Sequence, residues 1–307
     1  MSFNIKDKSL CCGCEACVQV CAHHAIQMQE DSEGFRYPFV NQELCVECGL
    51  CEKVCQYLEP VAKHQENQRA FGGHINDEKV LNESTSGGAF SAIVNYWCDE
   101  NYVIFGAESK GLDVFHSYIT DKKELFKYRR SKYSQSVIGD AYKNAKQFLR
   151  EGRKVLFSGT PCQIAGLKSY LGKTDQTRLL TVEVVCEGVP SPLYVRKMEK
   201  HFINKYGAGI HTIDYRYKSN PIFSKGRWDF EKMFIKLASL SGIWGGAKWD
   251  FQQMMIRIEG MEKILKKDRW FNPFWSIWLS HLMSRPSCYN CLYTTKERVA
   301  DITLGDL

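Results

Sequence analysis

Five cysteines lie within eleven residues in the stretch CCGCEACVQVC, which covers positions 11 to 21. A second stretch, CVECGLCEKVC at positions 45 to 55, repeats its spacing of C-x2-C-x2-C-x3-C. Three closely spaced thiolates followed by a fourth are able to bind a cubane of iron and sulfide. The two stretches therefore predict iron–sulfur chemistry in the N-terminal part of the chain.

The repeated spacing is that of bacterial two-cluster ferredoxins, in which the fourth cysteine of each run binds the other cluster. On this pattern we predict two [4Fe–4S] clusters and two sets of ligands. The first set is Cys11, Cys14, Cys17 and Cys55, and the second set is Cys45, Cys48, Cys51 and Cys21. The alternative is a pair of zinc sites, but zinc sites usually use separated C-x2-C pairs, often with histidine.

Two features depart from the ferredoxin pattern. Cys12 interrupts the spacing, and we predict that it binds neither cluster. Ala22 and Gln56 stand where proline usually follows the fourth cysteine of each run. The missing prolines are expected to loosen the turn after each ligand without removing a ligand.

Four of the remaining cysteines lie in contexts that resemble loops. Cys162 follows a predicted strand at the start of a helix, Cys186 ends another strand, and Cys288 and Cys291 form the pair CYNC. These four, the third set, could form a third cubane site, and the alternative is that they are buried structural thiols and that the close pair arises by chance. Spacing alone does not decide between the two. Cys98, in the apolar stretch AFSAIVNYWCDEN, is predicted to be a small core residue.

The elements that must position these residues follow from hydrophobic periodicity. YVIFGAES, KVLFSGT and LLTVEVVC read as buried strands, and GDAYKNAKQFLREG and SPLYVRKMEKHFINKYG read as amphipathic helices closed by glycine. AIQMQ and FRYPFV flank EDSEG as a predicted hairpin. We therefore predict an α+β protein, with a bacterial-type ferredoxin module at residues 1–58, a linker at 59–68 and a mixed α/β domain at 69–307. Residues 210–280 gave no clear assignment.

Two stretches are suited to an anion or a flavin edge. ESTSGGAFSAIVNYW places Thr85, Ser86, Gly87 and Gly88 at the mouth of a helix, although an ordinary capped helix start explains them equally simply. YRRSKYSQS offers Arg130, Lys132 and Tyr133. No G-x-G-x-x-G motif follows a strand, so a Rossmann dinucleotide site is not supported.

The motifs TSGGAFSAI, SKYSQS, FSGTPCQIAGLKSYL, CEGVPSP, CYNC and ADITLGD, in this order, resemble the beta subunit family of coenzyme F420 hydrogenases and dehydrogenases. The resemblance covers about residues 11–56, 69–200 and 285–306, and GTPCQIAGL is its most specific part. It implies an FAD-binding α/β domain with an iron–sulfur cluster close to the flavin, bound by the third set. It also implies a flavin pocket formed by Thr85, Ser86, Gly87, Gly88, Lys132, Tyr133, Asp301, Gly305 and Asp306.

Chains of this family continue well past the GD motif, whereas the sequence stops at Leu307. The resemblance therefore leads us to expect that a C-terminal segment is missing here, which would affect retention of the flavin.

The formal charge of +6 comes from 41 Lys and Arg residues against 35 Asp and Glu residues. No run of five basic residues accompanies it, which argues against a nucleic-acid partner. Three clusters of about −2 each would balance the excess. The absence of a basic leader followed by an apolar stretch, together with fourteen cysteines, predicts a cytoplasmic protein without a membrane span.

These observations predict an iron–sulfur flavoprotein oxidoreductase with two ferredoxin clusters, a third [4Fe–4S] cluster and FAD. It would relay electrons between a hydride-type substrate (coenzyme F420 or another), the flavin, the clusters and a redox carrier or partner subunit. No catalytic acid or base is identified. The alternative is an electron-transfer subunit without its own substrate site, which serves a partner enzyme and docks through the aromatic run at 270–283. A buried helix explains that run more simply. A cluster-based redox sensor is disfavoured because no DNA-binding element is visible.

Overall fold

A computed structural model of the chain describes residues 7–63, 68–218, 223–224, 227–228, 230, 233, 252–261, 264–268 and 273–306. The α-helices of this part are α1 Ala16–Val20, α2 Leu50–Lys53, α3 Glu78–Glu83, α4 Ala89–Trp97, α5 Ala141–Arg150, α6 Pro161–Leu171, α7 Pro192–Tyr206, α8 Pro273–Leu279 and α9 Pro286–Tyr289. The strands are β1 Ile26–Glu30, β2 Arg36–Val40, β3 Tyr102–Lys110, β4 Asp113–Ile119, β5 Lys154–Gly159, β6 Leu179–Val184, β7 Ile210–Lys218, β8 Phe223–Ser224, β9 Arg227–Trp228, β10 Gln252–Ile258, β11 Ile264–Asp268 and β12 Ile302–Leu304.

The N-terminal part contains the predicted hairpin. β1 and β2 pair antiparallel, from Ile26 opposite Val40 to Glu30 opposite Arg36. The Asp31 carboxylate closes the turn, because one of its oxygens accepts from the backbone N–H of Phe35 at 2.9 Å. The hairpin separates the two cysteine runs, which form tight loops leading into α1 and α2.

The central sheet has the strand order β12-β6-β5-β3-β4. Its first four strands are parallel, and only the edge strand β4 is antiparallel to its neighbour. The carboxyl ends of parallel strands lie at one edge, where α/β proteins usually bind their ligands. Here that edge is followed along the chain by Cys162 after β5, by Cys186 after β6 and by Gly305 after β12.

Helices cover both faces of this sheet. On one face α5 and α6 form a core that includes Tyr142, Phe157 and Ile164, and this core also takes in Ala16 and Val54 from the two cysteine runs. On the other face α4 and a 3-10 helix at Lys122–Tyr128 form a second core, in which Cys98 is fully buried. The cysteine runs therefore pack directly against the α/β part of the chain.

A second, three-stranded antiparallel sheet has the order β11-β10-β7. It packs against α7 and α8, where Phe274, Trp275 and Trp278 are buried. The part of the 270–283 run that the structure describes thus contains a buried helix, and residues 270–272 lie outside the described ranges. Of the region that gave no clear assignment, β7, β10, β11 and α8 are now defined.

The elements predicted from periodicity are confirmed: β3, β5, β6, α5, α7 and the β1–β2 hairpin all occur where the sequence placed them. The mixed α/β class is confirmed with them. No helix in the described ranges has the length and apolar character needed to cross a bilayer.

Candidate metal centres and cofactor pocket

The first set of cysteines lines one open cavity. Cys55 lies there with Cys11, Cys14 and Cys17, although 38 to 44 residues of sequence separate them. The thiol of Cys17 lies close enough to the other three thiols that their negative charge would raise its pKa. The structure therefore groups the fourth cysteine of the second run with the first three of the first run.

The second set lines another open cavity. Cys21 is joined there to Cys45, Cys48 and Cys51, and the backbone N–H of Ala25 donates to Cys21 Sγ at 3.3 Å. Cys48 is exposed, whereas the other three are half-buried. The reciprocal exchange of fourth cysteines is thus present in both cavities.

Each set is composed of thiols alone, the donors that an iron–sulfur cubane requires. Among the described residues, no group of three or more His, Cys, Asp or Glu side chains is placed to hold one metal ion.

A buried cation lies beside the first set. Arg285 is 1% exposed, and its guanidinium lies 3.7 Å from Cys11 Sγ and over the ring of Tyr37 at 4.3 Å. Its Nε donates to the Cys11 carbonyl at 2.7 Å. Burial raises the pKa of Cys11 to about 11, while the Arg285 charge opposes the rise. A buried guanidinium is stabilised by a nearby anion, and a negatively charged group bound at Cys11 would supply one.

The four cysteines of the third set meet although they come from three separate segments. All four thiols lie close enough together for every pair of them to interact electrostatically; the four are Cys162, Cys186, Cys288 and Cys291. Cys162 lies in the first turn of α6, which begins with a capping box between Thr160 and Gln163. The backbone N–H groups of Gly188 and Tyr293 donate to Cys186 Sγ and Cys291 Sγ, each at 3.4 Å. Amide donors of this kind stabilise thiolate ligands of iron–sulfur clusters.

Cys12 connects the first and third sets, a position that spacing did not reveal. Its thiol is buried, and it interacts electrostatically with the thiols of Cys14 and Cys162. The neighbouring Cys12 thiol is the largest cause that lowers the pKa of Cys162. Gln56 donates from its side-chain amide to Cys12 Sγ at 3.3 Å and to the Cys162 carbonyl at 2.8 Å. Only the departure of Gln56 from the usual proline could have drawn attention to this junction.

At the predicted flavin edge before α4, the glycines are contacted by the chain itself. A Cβ on Gly87 would lie 2.7 Å from the Gly73 carbonyl oxygen, and one on Gly88 would lie 2.7 Å from the side chain of Ile75. Gly88 also has a φ of +73°. Thr85 Oγ1 accepts from the backbone N–H of Ser131 at 2.9 Å. The close packing of residues 73–75 thus explains why glycine is needed at both positions.

Ser86 is exposed next to them, and Arg130 and Lys132 already have protein partners. Arg130 pairs with the Asp214 carboxylate. The Lys132 ammonium donates to the carbonyls of Lys127 and Arg129, at 3.0 and 2.8 Å, and so caps the end of the 3-10 helix. Burial lowers the pKa of Lys132 to about 8.

Tyr133 lies elsewhere, inside an aromatic cluster. Its ring centroid is 5.0 Å from that of Trp275 and 4.8 Å from that of Trp278, both edge-on. Within the described part of the chain, the buried indole N–H groups of both tryptophans have no hydrogen-bond partner. Buried indole donors usually find one, so this cluster has unused donors.

Arg216 joins Tyr133 to the end of the chain. It is 7% exposed, donates to the Asp306 carboxylate at 2.7 Å and makes a hydrogen bond with Tyr133. Arg216 lies in the region that sequence reasoning left unassigned, so it was missed. Gly305 precedes Asp306, and a Cβ there would lie 3.2 Å from the side chain of Val185.

Asp301 is placed apart from this group. Its carboxylate accepts from the backbone N–H and the hydroxyl of Thr181, at 2.7 and 2.6 Å, at the amino end of β12. Five residues of extended chain place it about 16 Å from Asp306. The structure thus brings together Tyr133, Gly305 and Asp306 with Arg216, but separates Asp301 from them.

Comparison with known proteins identifies both parts of the chain. Residues 152–307, just over half of the chain, match the family model for the C-terminal region of the coenzyme F420 hydrogenase/dehydrogenase beta subunit. Residues 10–58 match a 4Fe-4S dicluster domain.

One curated relative is the coenzyme F420-dependent sulfite reductase of Methanocaldococcus jannaschii, 28% identical over 167 residues. The match covers 53% of this chain but only 26% of that protein. Among solved structures, a chain of the F420-reducing [NiFe] hydrogenase complex from Methanosarcina barkeri, studied by xenon derivatization, is 16% identical with a TM-score of 0.46. That match covers 76% of this chain and 68% of the other.

Proposed function

Since the chain belongs to the coenzyme F420 hydrogenase/dehydrogenase beta subunit family and carries a ferredoxin-type 4Fe-4S domain, we propose that it is an iron–sulfur flavoprotein oxidoreductase. It relays electrons between a hydride-type substrate, FAD and three [4Fe–4S] clusters. The observation that carries this proposal is the meeting of all four cysteines of the third set, beside the first set and at the ligand-binding edge of the parallel sheet.

The ligands proposed for the clusters are the three cysteine sets defined above. The exchange of Cys21 and Cys55 between the two N-terminal cavities supports two ferredoxin clusters. The N–H donors at Cys186 and Cys291 support a third. The proposed division of the chain remains a ferredoxin module at 1–58, a linker at 59–68 and a cofactor domain at 69–307.

For the flavin we propose the region around Tyr133, Gly305 and Asp306. The aromatic edges of Tyr133 and Trp278 suit a planar ring, and the indole N–H groups of Trp275 and Trp278 offer donors to it. Arg216 adds a buried positive charge that is held in place by Asp306. Thr85, Ser86, Gly87, Gly88, Lys132 and Asp301 remain weaker candidates, because protein contacts occupy most of them.

The flavin explains the combination of cofactors, since it exchanges two electrons with a hydride substrate and single electrons with clusters. The chain's residues would bind the ring, orient it toward the third set and keep the first set buried beside it. We propose coenzyme F420 or another hydride carrier as substrate, because the curated relative is named for dependence on coenzyme F420. The alternative is an electron-transfer subunit without a substrate site of its own.

An electron carrier or partner subunit would meet the protein at the second set. Cys48 is exposed, and the same cavity is lined by Val46 and Leu50, which are 57% and 41% exposed. Glu47 and Glu52 line it as well. A negative cluster with carboxylates around it favours a partner that presents basic and apolar residues. We also propose a cytoplasmic location, because none of the fourteen cysteines forms a disulfide and a reducing compartment preserves unpaired cysteines.

The proposal is tested by anaerobic purification followed by measurement of iron, sulfide and flavin per chain. We expect about twelve irons and one FAD, from three cubanes and one flavin. Cys186→Ala is expected to lose about four irons, while the buried core variant Cys98→Ala keeps them all. About eight irons per chain in the unchanged protein would refute the third cluster. Turnover of a hydride donor by protein that contains no FAD would refute the proposed role of the flavin.

A further inference from the structure

The ferredoxin part and the third set are joined by one buried side chain. Gln56 is 1% exposed and follows Cys55, the last ligand of the first set. Its amide N–H groups reach Cys12 Sγ at 3.3 Å and the Cys162 carbonyl at 2.8 Å, and its carbonyl accepts from the hydroxyl of Tyr293. One amide therefore bonds to groups that lie 44, 106 and 237 residues away in sequence.

These partners belong to both metal sites. Cys12 lines the cavity of the first set, and Gln56 links its thiol to the carbonyl of Cys162 in the third. Tyr293 donates its backbone N–H to Cys291 Sγ at 3.4 Å, so its hydroxyl and its amide connect Gln56 to a second ligand of the third set. Gln56 thus links Cys12, which lies beside the first set, to Cys162 and, through Tyr293, to the Cys291 sulfur of the third set.

The second set has a different surrounding. Cys21, Cys45 and Cys51 pack against Ile26 and Val40 of the hairpin, which also contact Cys17 and Cys55 of the first set, and the second set includes the exposed Cys48. Cys51 lies within electrostatic range of Cys17, so the second set approaches the third through the first.

We propose that Gln56 and Cys12 are positioning residues for electron transfer, and that they make the first set, not the second, the direct redox partner of the third set. This inference rests on the proposed function, because it requires clusters on both sets. In each transfer one electron leaves the third-set cluster, which is oxidised, and enters the first-set cluster, which is reduced. No bond forms or breaks and no proton moves.

Two physical effects follow from this junction. The amide and the Cys12 thiol fix the spacing of the two sites, because Gln56, Cys12 and Tyr293 are buried and Gln56 is hydrogen-bonded to the other two. Gln56 and Cys12 also line the cavity of the first set, and donor groups beside a cluster stabilise its reduced, more negative form. Removing them should therefore make the first-set cluster harder to reduce.

The test uses Gln56→Leu and Cys12→Ala in the anaerobically purified full chain. The matched control is Gln19→Leu, because Gln19 is also buried but bonds the backbone N–H of Lys143 at 3.0 Å, not a thiol. The readouts are iron content, the midpoint potential of each cluster and the magnetic interaction between reduced clusters, followed by electron paramagnetic resonance. None of these depends on finding the substrate.

We expect both variants to retain about twelve irons. The equilibrium constant for reduction of the first-set cluster should fall about tenfold, which lowers its midpoint potential by about 59 mV for one electron. The magnetic interaction between the first-set and third-set clusters should change, while the second-set potential stays constant. Cys12→Ser keeps a donor and should restore part of the potential. Gln19→Leu should change none of these quantities.

Two results would overturn the inference: unchanged first-set potentials in variants that hold all their iron, or a third-set signal coupled to the second set. If Gln56→Leu loses iron, Cys12→Ala alone decides, because its smaller side chain leaves the Tyr293 and Cys162 bonds to Gln56 in place. An unchanged protein with only eight irons would instead refute the third cluster itself, so the two failures are distinguishable.

Discussion

The backbone of Gly166 lies against the side chain of Cys14. A Cβ built on this glycine would stand 2.9 Å from Cys14 Cβ and 3.1 Å from Cys14 Sγ. Gly166 belongs to the GTPCQIAGL motif on α6, four residues after Cys162. The motif therefore carries both a cysteine of the third set and the glycine that lets the first set approach it.

Gly166→Ala is expected to displace Cys14 and to lower the occupancy of the first-set cluster, because neither Cβ can move without its backbone. Iron per chain should fall by up to about four, with the first-set resonance signal lost first. Gly73→Ala is the control, since a Cβ there meets nothing within 4 Å and its φ is not positive. Full iron and an unchanged signal in Gly166→Ala would contradict the close approach.

Arg285→Gln should lower the potential of the first-set cluster on the order of 100 mV, because it removes a buried positive charge beside Cys11. The added electron is then less well stabilised. Arg285→Lys keeps the charge but loses the fork of hydrogen bonds to Cys11, Gln135 and Arg36, so a smaller change is expected. A redox titration of both variants measures this, and equal potentials in wild type and in an iron-replete Arg285→Gln would refute it.

The carboxylates near Cys48 should control which carriers react fast. Glu47→Gln combined with Glu52→Gln is expected to slow electron exchange with a cationic viologen several-fold at low ionic strength and to accelerate exchange with an anionic quinone sulfonate. Both effects should fade as salt is added. Glu100→Gln, an exposed carboxylate before β3, serves as the control. Equal responses to both carriers would show that electrons leave at another surface.

His116 should make the protein less stable in mild acid. It is buried, its Nε2 lies 2.9 Å from the Ser158 carbonyl and its Nδ1 lies 2.9 Å from Ser136 Oγ. Burial lowers the pKa of His116 from 6.5 to about 4. Between these values the unfolded chain binds a proton that the folded chain excludes, so stability is complete above pH 6.5 and falls as the pH drops toward 4.

When the pH falls from 7.5 to 5.5, protonation linked to His116 should lower the free energy of unfolding by roughly 1 kcal/mol, which lowers the unfolding temperature by about 2 °C. Thermal unfolding under anaerobic conditions measures the loss. His116→Gln is expected to be less stable than the wild type at both pH values. Its unfolding temperature should, however, fall less between pH 7.5 and 5.5, because the variant lacks the contribution of His116. An identical pH dependence in the two proteins would show that other groups cause it.

The sequence by itself determined the local features of this protein. Ligands within one cysteine run are three or four residues apart, so the spacing alone predicts a cluster loop. Even the exchange of Cys21 and Cys55 was predictable, because a two-cluster ferredoxin repeats one motif. The strands, helices and hairpin followed from periodicity, which depends on neighbouring residues.

Only the tertiary structure decided which distant groups touch. Gln56 reads in the sequence as a missing proline, yet it bonds to Tyr293, 237 residues away. Arg216 and Asp306 are 90 residues apart and meet beside Tyr133, while Asp301, a neighbour of Asp306 in sequence, lies at the other end of its strand. Gly87 and Gly88 looked suited to a cofactor, but residues 73–75 pack on them. The physical reason is that such contacts are set by the packing of whole elements, which no short window of sequence contains.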